Sequence, residues 1–389
     1  MLKYFERGEK MEVKKDRKSE IELVKIIAIF LIIISHVSQT LFNGQCFNNL
    51  QFNDGYYNVA ATTNINVFVL MIFQYFGNLG NLIFIIASSY FLSNIEKSDK
   101  KKTFKLGLNT ITISLIYLAI YLIANINLSK KEIIKSIFPI TFQNNWFITI
   151  YLIFIMIVPY LNIVIKKLTQ KQLLRLSYTL FIFYFVIAFV NNSYDLNNLI
   201  VFITIYLIVN YFKKYMENFW NNKKRCITLL VLGIIGLIIL QFLINFIGLK
   251  FEFLQNKQLH WEVNNNPIIF IIAIALFYFF KQISFKSHFI NTISSLSLYI
   301  YLIHENLLFR NYTRVYIWHY IYEKIGYTYI IIEILLYALV LFIVSIIISY
   351  VYKITLEKII NNLIEKIFNN NKIKNIFNKI ENKILYLNG

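Results

Sequence analysis

Two stretches of this chain place titratable side chains inside or beside long apolar runs. The first begins Glu22-Leu23-Val24-Lys25 and continues through an apolar run to His36. Glu22 and Lys25 are three residues apart and share a helix face. Lys25 and His36 are eleven apart, which at about 100° per residue returns to nearly the same face, roughly 16 Å further along. One stripe therefore carries a carboxylate, an ammonium and an imidazole. Ionisable groups in such a run are costly and are kept for work or for a buried partner. A neutral imidazole can take a proton from a hydroxyl or briefly carry an acyl group. The alternative is a histidine satisfied by a neighbouring helix, with Glu22 and Lys25 as interfacial anchors. The second stretch is Ser297-Leu298-Tyr299-Ile300-Tyr301-Leu302-Ile303-His304-Glu305. Tyr301 lies three residues before His304 and four before Glu305, so the three can bind sugar hydroxyls, orient a base, or form a polar helix end among lipid headgroups. Trp146 reads as an aromatic-belt residue or, with Asn144, as a surface on which a sugar stacks. Glu333, Arg310 and Arg314 are further candidates, whereas His260 reads as solvated.

The elements that must hold these groups are helices in a membrane. Of 389 residues, 58% are hydrophobic, and only three prolines and eleven glycines interrupt them. A soluble chain of this length cannot hide so much apolar surface. The apolar runs are continuous over about twenty residues rather than alternating over about ten, which excludes a barrel. The pattern predicts an all-α, polytopic transmembrane bundle of about ten spans: 21–43, 77–94, 106–126, 147–165, 173–191, 198–212, 226–247, 267–280, 293–309 and 329–352. Residues 59–76 are also apolar and read as re-entrant, interfacial or an extra span. Pro159 is expected to kink the fourth span. The basic leader ending Lys14-Lys15-Asp16-Arg17-Lys18 precedes a run too long for a cleaved signal, so the first span is expected to remain as an anchor.

Charge sets the expected orientation. With the N-terminus inside, 30 of the 39 Lys and Arg fall on the inner side, eight on the outer side, and Lys25 lies within the first span. This bias predicts both termini in the cytoplasm and argues against counting 59–76 as a span. It also explains the net charge of +19 without nucleic acid, for which no binding motif is present. Residues 1–20 form a basic cytoplasmic segment, 21–352 the transmembrane domain and 353–389 a basic tail. In that tail Leu356, Ile359, Ile360, Leu363, Ile364, Ile367 and Phe368 recur at helical spacing, as in an amphipathic helix on the inner leaflet. The two cysteines, Cys46 and Cys226, fall on opposite sides in this topology, so no disulfide framework is expected.

Four stretches resemble the membrane acyltransferase-3 family, which includes O-acetyltransferases of bacterial surface polysaccharides. They are Ile21 through His36, Phe84-Ile85-Ile86-Ala87-Ser88-Ser89-Tyr90-Phe91-Leu92, Trp146-Phe147 with Tyr151 and Pro159, and Ser297 through His304. The likeness spans roughly 18–352. It departs from the family at Lys25, where Arg is usual, at Glu22, where Asp is usual, and at Ser89, where Gly is usual; lysine lacks the planar fork with which Arg binds phosphate. The resemblance implies acyl transfer from acyl-CoA, usually acetyl-CoA, to a hydroxyl of a cell-surface or lipid-linked glycan. The protein would then be a multi-pass enzyme of the bacterial cytoplasmic (inner) membrane, with no bound cofactor and no metal. It implies His36 as base or transient acyl carrier, Glu22, Lys25 and Ser88 on the donor side, and Trp146, Tyr301, His304 and Glu305 on the acceptor side. The alternative function is a transporter or flippase of a lipid-linked glycan, although no inverted repeat is evident.

Overall fold

A computed structural model describes residues 17–42, 60–191, 198–325 and 328–370. Among these the protein is all helical, with no strand. Helix α1 is Ser19–Gln39, α2 Ile65–Leu92, α3 Lys100–Ile123, α4 Lys130–Ile137, α5 Trp146–Lys167 and α6 Gln170–Phe181. A π-helical turn at Ile182–Ile187 leads into α7, Ala188–Asn191. Next come α8 Asn198–Tyr215, α9 Glu217–Trp220, α10 Lys223–Lys250, α11 Glu252–Gln255, α12 Pro267–Lys281, α13 His288–Ser294 and α14 Ser297–His304. A second π-helical turn, Phe309–Thr313, precedes α15 Arg314–Ile325, α16 Ile330–Ile354 and α17 Leu356–Asn369.

Side chains set many of the starts. Asn64, Asp99, Asn222 and Asn266 each accept a hydrogen bond from the first turn of α2, α3, α10 and α12, and Pro267 follows Asn266 where its missing N–H costs nothing. Ser129 with Glu132 and Thr169 with Gln172 form reciprocal capping boxes on α4 and α6.

Seven helical stretches among the described residues are long and apolar enough to cross a membrane: 19–39, 65–92, 100–123, 146–167, 170–190, 223–250 and 330–369. The other three expected spans fall on shorter helices, namely α8, α12 and the α13–α14 pair. The outward faces of α10 and α16 leave rows of apolar side chains uncovered, among them Ile235, Ile238, Phe242, Leu336, Leu339 and Ile343. Only lipid tails solvate such rows without cost, so the chain is a multi-pass membrane protein. The apolar residues 65–76 are neither re-entrant nor an extra span. They begin α2, whose 28 residues form one helix about 42 Å long at 1.5 Å per residue. Helix α5 runs on through Pro159. The tail from Leu356 is helical, with Ile360 and Ile364 buried and Leu356, Ile359 and Leu363 exposed. Glu357 pairs with Lys105 at 2.5 Å, and Phe368 packs on Phe104 of α3. Cys226 is buried as a free thiol; Cys46 and residues 371–389 lie outside the described residues.

Helix α1 is the hub, packed against α2, α12, α13, α14 and α16. Its crossing with α2 is tight because α2 presents Gly77 and Gly80 there. A Cβ on Gly80 would stand 2.5 Å from the carbonyl oxygen of Ala28, and one on Gly77 would stand 2.7 Å from Ser35 Oγ. Buried polar groups bind the pair further along. Ser35 Oγ donates to Gln74 O at 3.0 Å, and Gln74 Nε2 donates to Ser38 Oγ at 2.5 Å. Two such helices held backbone to backbone form a firm mount for His36.

Candidate active site

His36 sits three residues before the end of α1, and α14 brings His304 and Glu305 against it. His36 Nδ1 lies 2.9 Å from Glu305 Oε2 and 3.1 Å from His304 Nε2. The protons follow from one further contact. His304 Nδ1 lies 2.7 Å from the carbonyl oxygen of Ile300, which can only accept. His304 therefore carries its proton on Nδ1, and its Nε2 is a lone pair. Between that lone pair and a carboxylate oxygen, His36 Nδ1 must be the donor. When neutral, the ring keeps its other lone pair on Nε2, the tautomer a base requires.

Glu305 is held in turn. Arg310 donates to its Oε1 at 2.8 Å and Arg314 to its Oε2 at 3.0 Å. The π-helical turn at Phe309–Thr313 and the first residue of α15 carry these two guanidiniums. Asn145, the N-cap of α5, donates to the Glu305 carbonyl at 3.2 Å. The Glu305 side chain is 8% exposed, His304 is fully buried and Arg314 is 2% exposed. A carboxylate so far out of water survives only with such partners. The donor atoms of His36, His304 and Glu305 all lie within 4.8 Å of one another, a spacing that a divalent ion can bridge. Arg310 and Arg314 supply the positive charge at Glu305 that such an ion would bring, and they oppose a second cation beside it.

Two cavities flank this mount. One, of about 400 Å³, is lined by Arg17, Glu22, Lys25 and Ser88 toward the Lys-rich end of the bundle, and by Phe147 and Tyr301 deeper in. Lys25 Nζ meets Glu22 Oε2 at 2.7 Å, and Glu22 accepts a short hydrogen bond from Ser294 Oγ. The other, of about 870 Å³, lies toward the opposite end and is lined by His36, Gln39, Asn78, Asn81, Trp146 and Glu262, among others. Asn81 lines both, so the two cavities abut along α2. Glu262, on the loop between α11 and α12, accepts a short hydrogen bond from Asn78. Burial pushes its carboxyl up to about 8.

The sequence candidates are thus distributed between the two ends. Glu22, Lys25 and Ser88 share the smaller cavity, and Tyr301 joins them there, with its ring edge-on to His304 at 5.8 Å. His36 and Trp146 line the larger cavity. His304 and Glu305 line neither and stand behind His36. Arg310 and Arg314 hold Glu305. Asn144 is spent inside the fold, donating to Lys135 O at 2.7 Å. His260 packs edge-on against Trp261 at 4.9 Å, and Glu333 lies buried in the first turn of α16. Sequence reasoning missed Gln39, Asn78, Asn81, Glu262 and Asn264, which are ordinary polar residues until the 256–266 loop folds back onto α2. Clustered asparagines at Asn264-Asn265-Asn266 were the available signal.

A family model described as an acyltransferase domain matches residues 18–354, which takes in every one of these residues. No curated protein matches the chain, and no solved structure does.

Proposed function

Because the chain belongs to the acyltransferase-3 family and is a membrane acyltransferase, we propose that it moves an acetyl group from acetyl-CoA to a hydroxyl of a cell-surface or lipid-linked glycan in the bacterial inner membrane. One observation carries this reading. The Glu305–His36–His304 contacts leave Nε2 of His36 as a lone pair on a ring that lines the larger cavity. A nitrogen so arranged is a general base on an acceptor hydroxyl.

His36 Nε2 takes the hydroxyl proton as the oxygen attacks the thioester carbonyl. The tetrahedral intermediate collapses with cleavage of the carbon–sulfur bond. The leaving thiolate takes the proton back from the His36 imidazolium, giving an ester and a free thiol. Glu305 stabilises the imidazolium while it exists and keeps the ring in its productive tautomer. The cations Arg17 and Lys25 support the smaller cavity as the donor side, since the phosphates of CoA are anionic. Apolar Ile29, Ile32 and Phe84 further in would keep water from the thioester. A thioester in the smaller cavity and a hydroxyl in the larger one would approach each other near Asn81, which lines both.

The test uses proteoliposomes supplied with acetyl-CoA labelled in the acetyl group. Label should enter the glycan fraction with the natural protein. His36→Ala should lower the rate by about 10²–10⁴-fold, the usual contribution of a positioned base, at a temperature where the variant is folded and still binds donor. Undiminished transfer by the variant refutes the role of His36. Glycan moved across the bilayer without incorporation of label favours a transporter instead.

A further inference from the structure

The two cavities differ in charge in a way that bears on the acceptor. The smaller one presents Arg17 and Lys25. The larger one, at more than twice the volume, has no Lys or Arg among its described lining residues. Besides the His36 imidazole, its polar groups are carboxamides, with Gln39, Asn78, Asn81 and Asn264 among them, and one carboxyl group, Glu262. The carboxamides are organised. Asn78 donates to Glu262, Asn81 Nδ2 donates to Asn264 Oδ1 at 3.3 Å, and Asn264 Nδ2 donates to Asn198 Oδ1 at 3.3 Å. Each amide offers both donors and acceptors, which suits groups that do both, as sugar hydroxyls do. Trp146 adds a flat apolar face, which suits the C–H face of a pyranose.

An anionic group brought into this cavity would lose water and find no Lys or Arg among the described lining residues. Recognition of carboxylate or phosphate uses Arg and Lys, and a site without them selects against anions by leaving their charge unpaired. We propose that the larger cavity takes an uncharged saccharide at the reacting residue, and that its carboxamide lining, Asn78, Asn81 and Asn264, rejects uronate- and phosphate-bearing ones. This inference rests on the acyltransferase reading for the identity of the cavity as the acceptor side.

The experiment uses the full chain in nanodiscs. Its probes are methyl β-glucoside and methyl β-glucuronide, which differ only in a hydroxymethyl against a carboxylate. Binding is followed by saturation-transfer NMR, with Trp146→Phe to confirm the site. The glucoside should saturate, and the glucuronide should bind at least about tenfold more weakly at neutral pH. Asn264→Lys, which adds a cation, should narrow that gap by about threefold or more, and Glu262→Gln should narrow it at pH 9, where the natural carboxyl is ionised. Equal or tighter binding of the glucuronide overturns the proposal, as does the absence of saturable binding by either probe. Release of CoA thiol from acetyl-CoA, dependent on His36, is measured on the same preparation. If thiol is released but the charge preference is missing, only this inference falls. If no thiol is released, the acyltransfer reading falls.

Discussion

At the scale of single residues, the decisive feature is a chain of protonation states. Ile300 O fixes the His304 tautomer, His304 and Glu305 together fix that of His36, and two guanidiniums fix Glu305. Glu305→Gln should break this chain with little change in shape. An amide can turn its NH₂ toward His36 Nδ1 and stabilise the tautomer whose proton sits on Nε2, which is no base. Steady-state kinetics should show kcat down by about 10²–10⁴-fold with KM changed far less. The variant also leaves Arg310 and Arg314 without their shared carboxylate, so unfolding free energy should fall by about 3–5 kcal/mol; kcat is compared at a temperature where both proteins are folded. A KM effect alone would mean that Glu305 serves binding rather than the base.

Glu262 gives a second expectation at this scale. Its folded carboxyl titrates at about 8 against an ordinary 4.5. Below pH 4.5 both folded and unfolded states hold the proton, and no differential exists. Between 4.5 and 8 the unfolded chain ionises while the folded one keeps its proton, so stability is lost as pH rises and levels off above 8. Glu262→Gln lacks this penalty. Its melting temperature should match that of the natural protein near pH 4.5 and exceed it increasingly up to pH 8. A constant difference across that range would show that the carboxyl is not held neutral. The contrast with His36 explains what could be read beforehand. A histidine in an apolar run stands out in any sequence, as does His304-Glu305 at the end of another run. An acid in a polar loop does not, because nothing local shows that residues 256–266 fold back onto Asn78 and Asn81.

Among the elements, the α1–α2 crossing decides whether His36 has a fixed place. Gly80 lets α2 approach until its missing Cβ would lie 2.5 Å from Ala28 O and from Ile32 Cγ1. The first of these atoms is backbone and cannot step aside. Gly80→Val should force the helices apart, costing about 1–3 kcal/mol through overpacking, and should lower kcat even where the protein remains folded, because His36 moves relative to Glu305. Unchanged stability and turnover would show that the crossing tolerates separation. Hydropathy located α2 but split it, since apolar residues 65–76 and 77–92 differ in nothing that periodicity can detect. That they form one helix is decided by what covers them. The early turns carry Val67, Leu70 and Met71 into the core beside α1, and a helix sheathed by protein can outrun the roughly 30 Å of hydrocarbon. Helices α8 and α12, both heavily buried, can likewise be short because protein rather than lipid surrounds them. Span counting by length is blind to that.

For the whole molecule, charge and cavities point along one axis. Lys25, Lys97, Lys166, Lys213, Lys281 and Lys353 gather at the end that holds Arg17 and the smaller cavity, while the larger cavity opens among the 256–266 loop and the start of α5. If the Lys-rich end is cytoplasmic, a donor made in the cytosol enters below His36 and the acceptor enters from the far side, so the protein joins two compartments without moving either substrate across. Orientation is therefore a mechanistic quantity. Lys97 and Gln143 are both exposed at opposite ends, and Cys226 is buried. On a Cys46→Ser background, Gln143→Cys should react with a membrane-impermeant maleimide in intact cells, whereas Lys97→Cys should react only after permeabilisation. Labelling of Lys97→Cys in intact cells would place the cationic cavity outside, away from any CoA thioester. The proposed direction of transfer would then fail even if every contact around His36 stood as described.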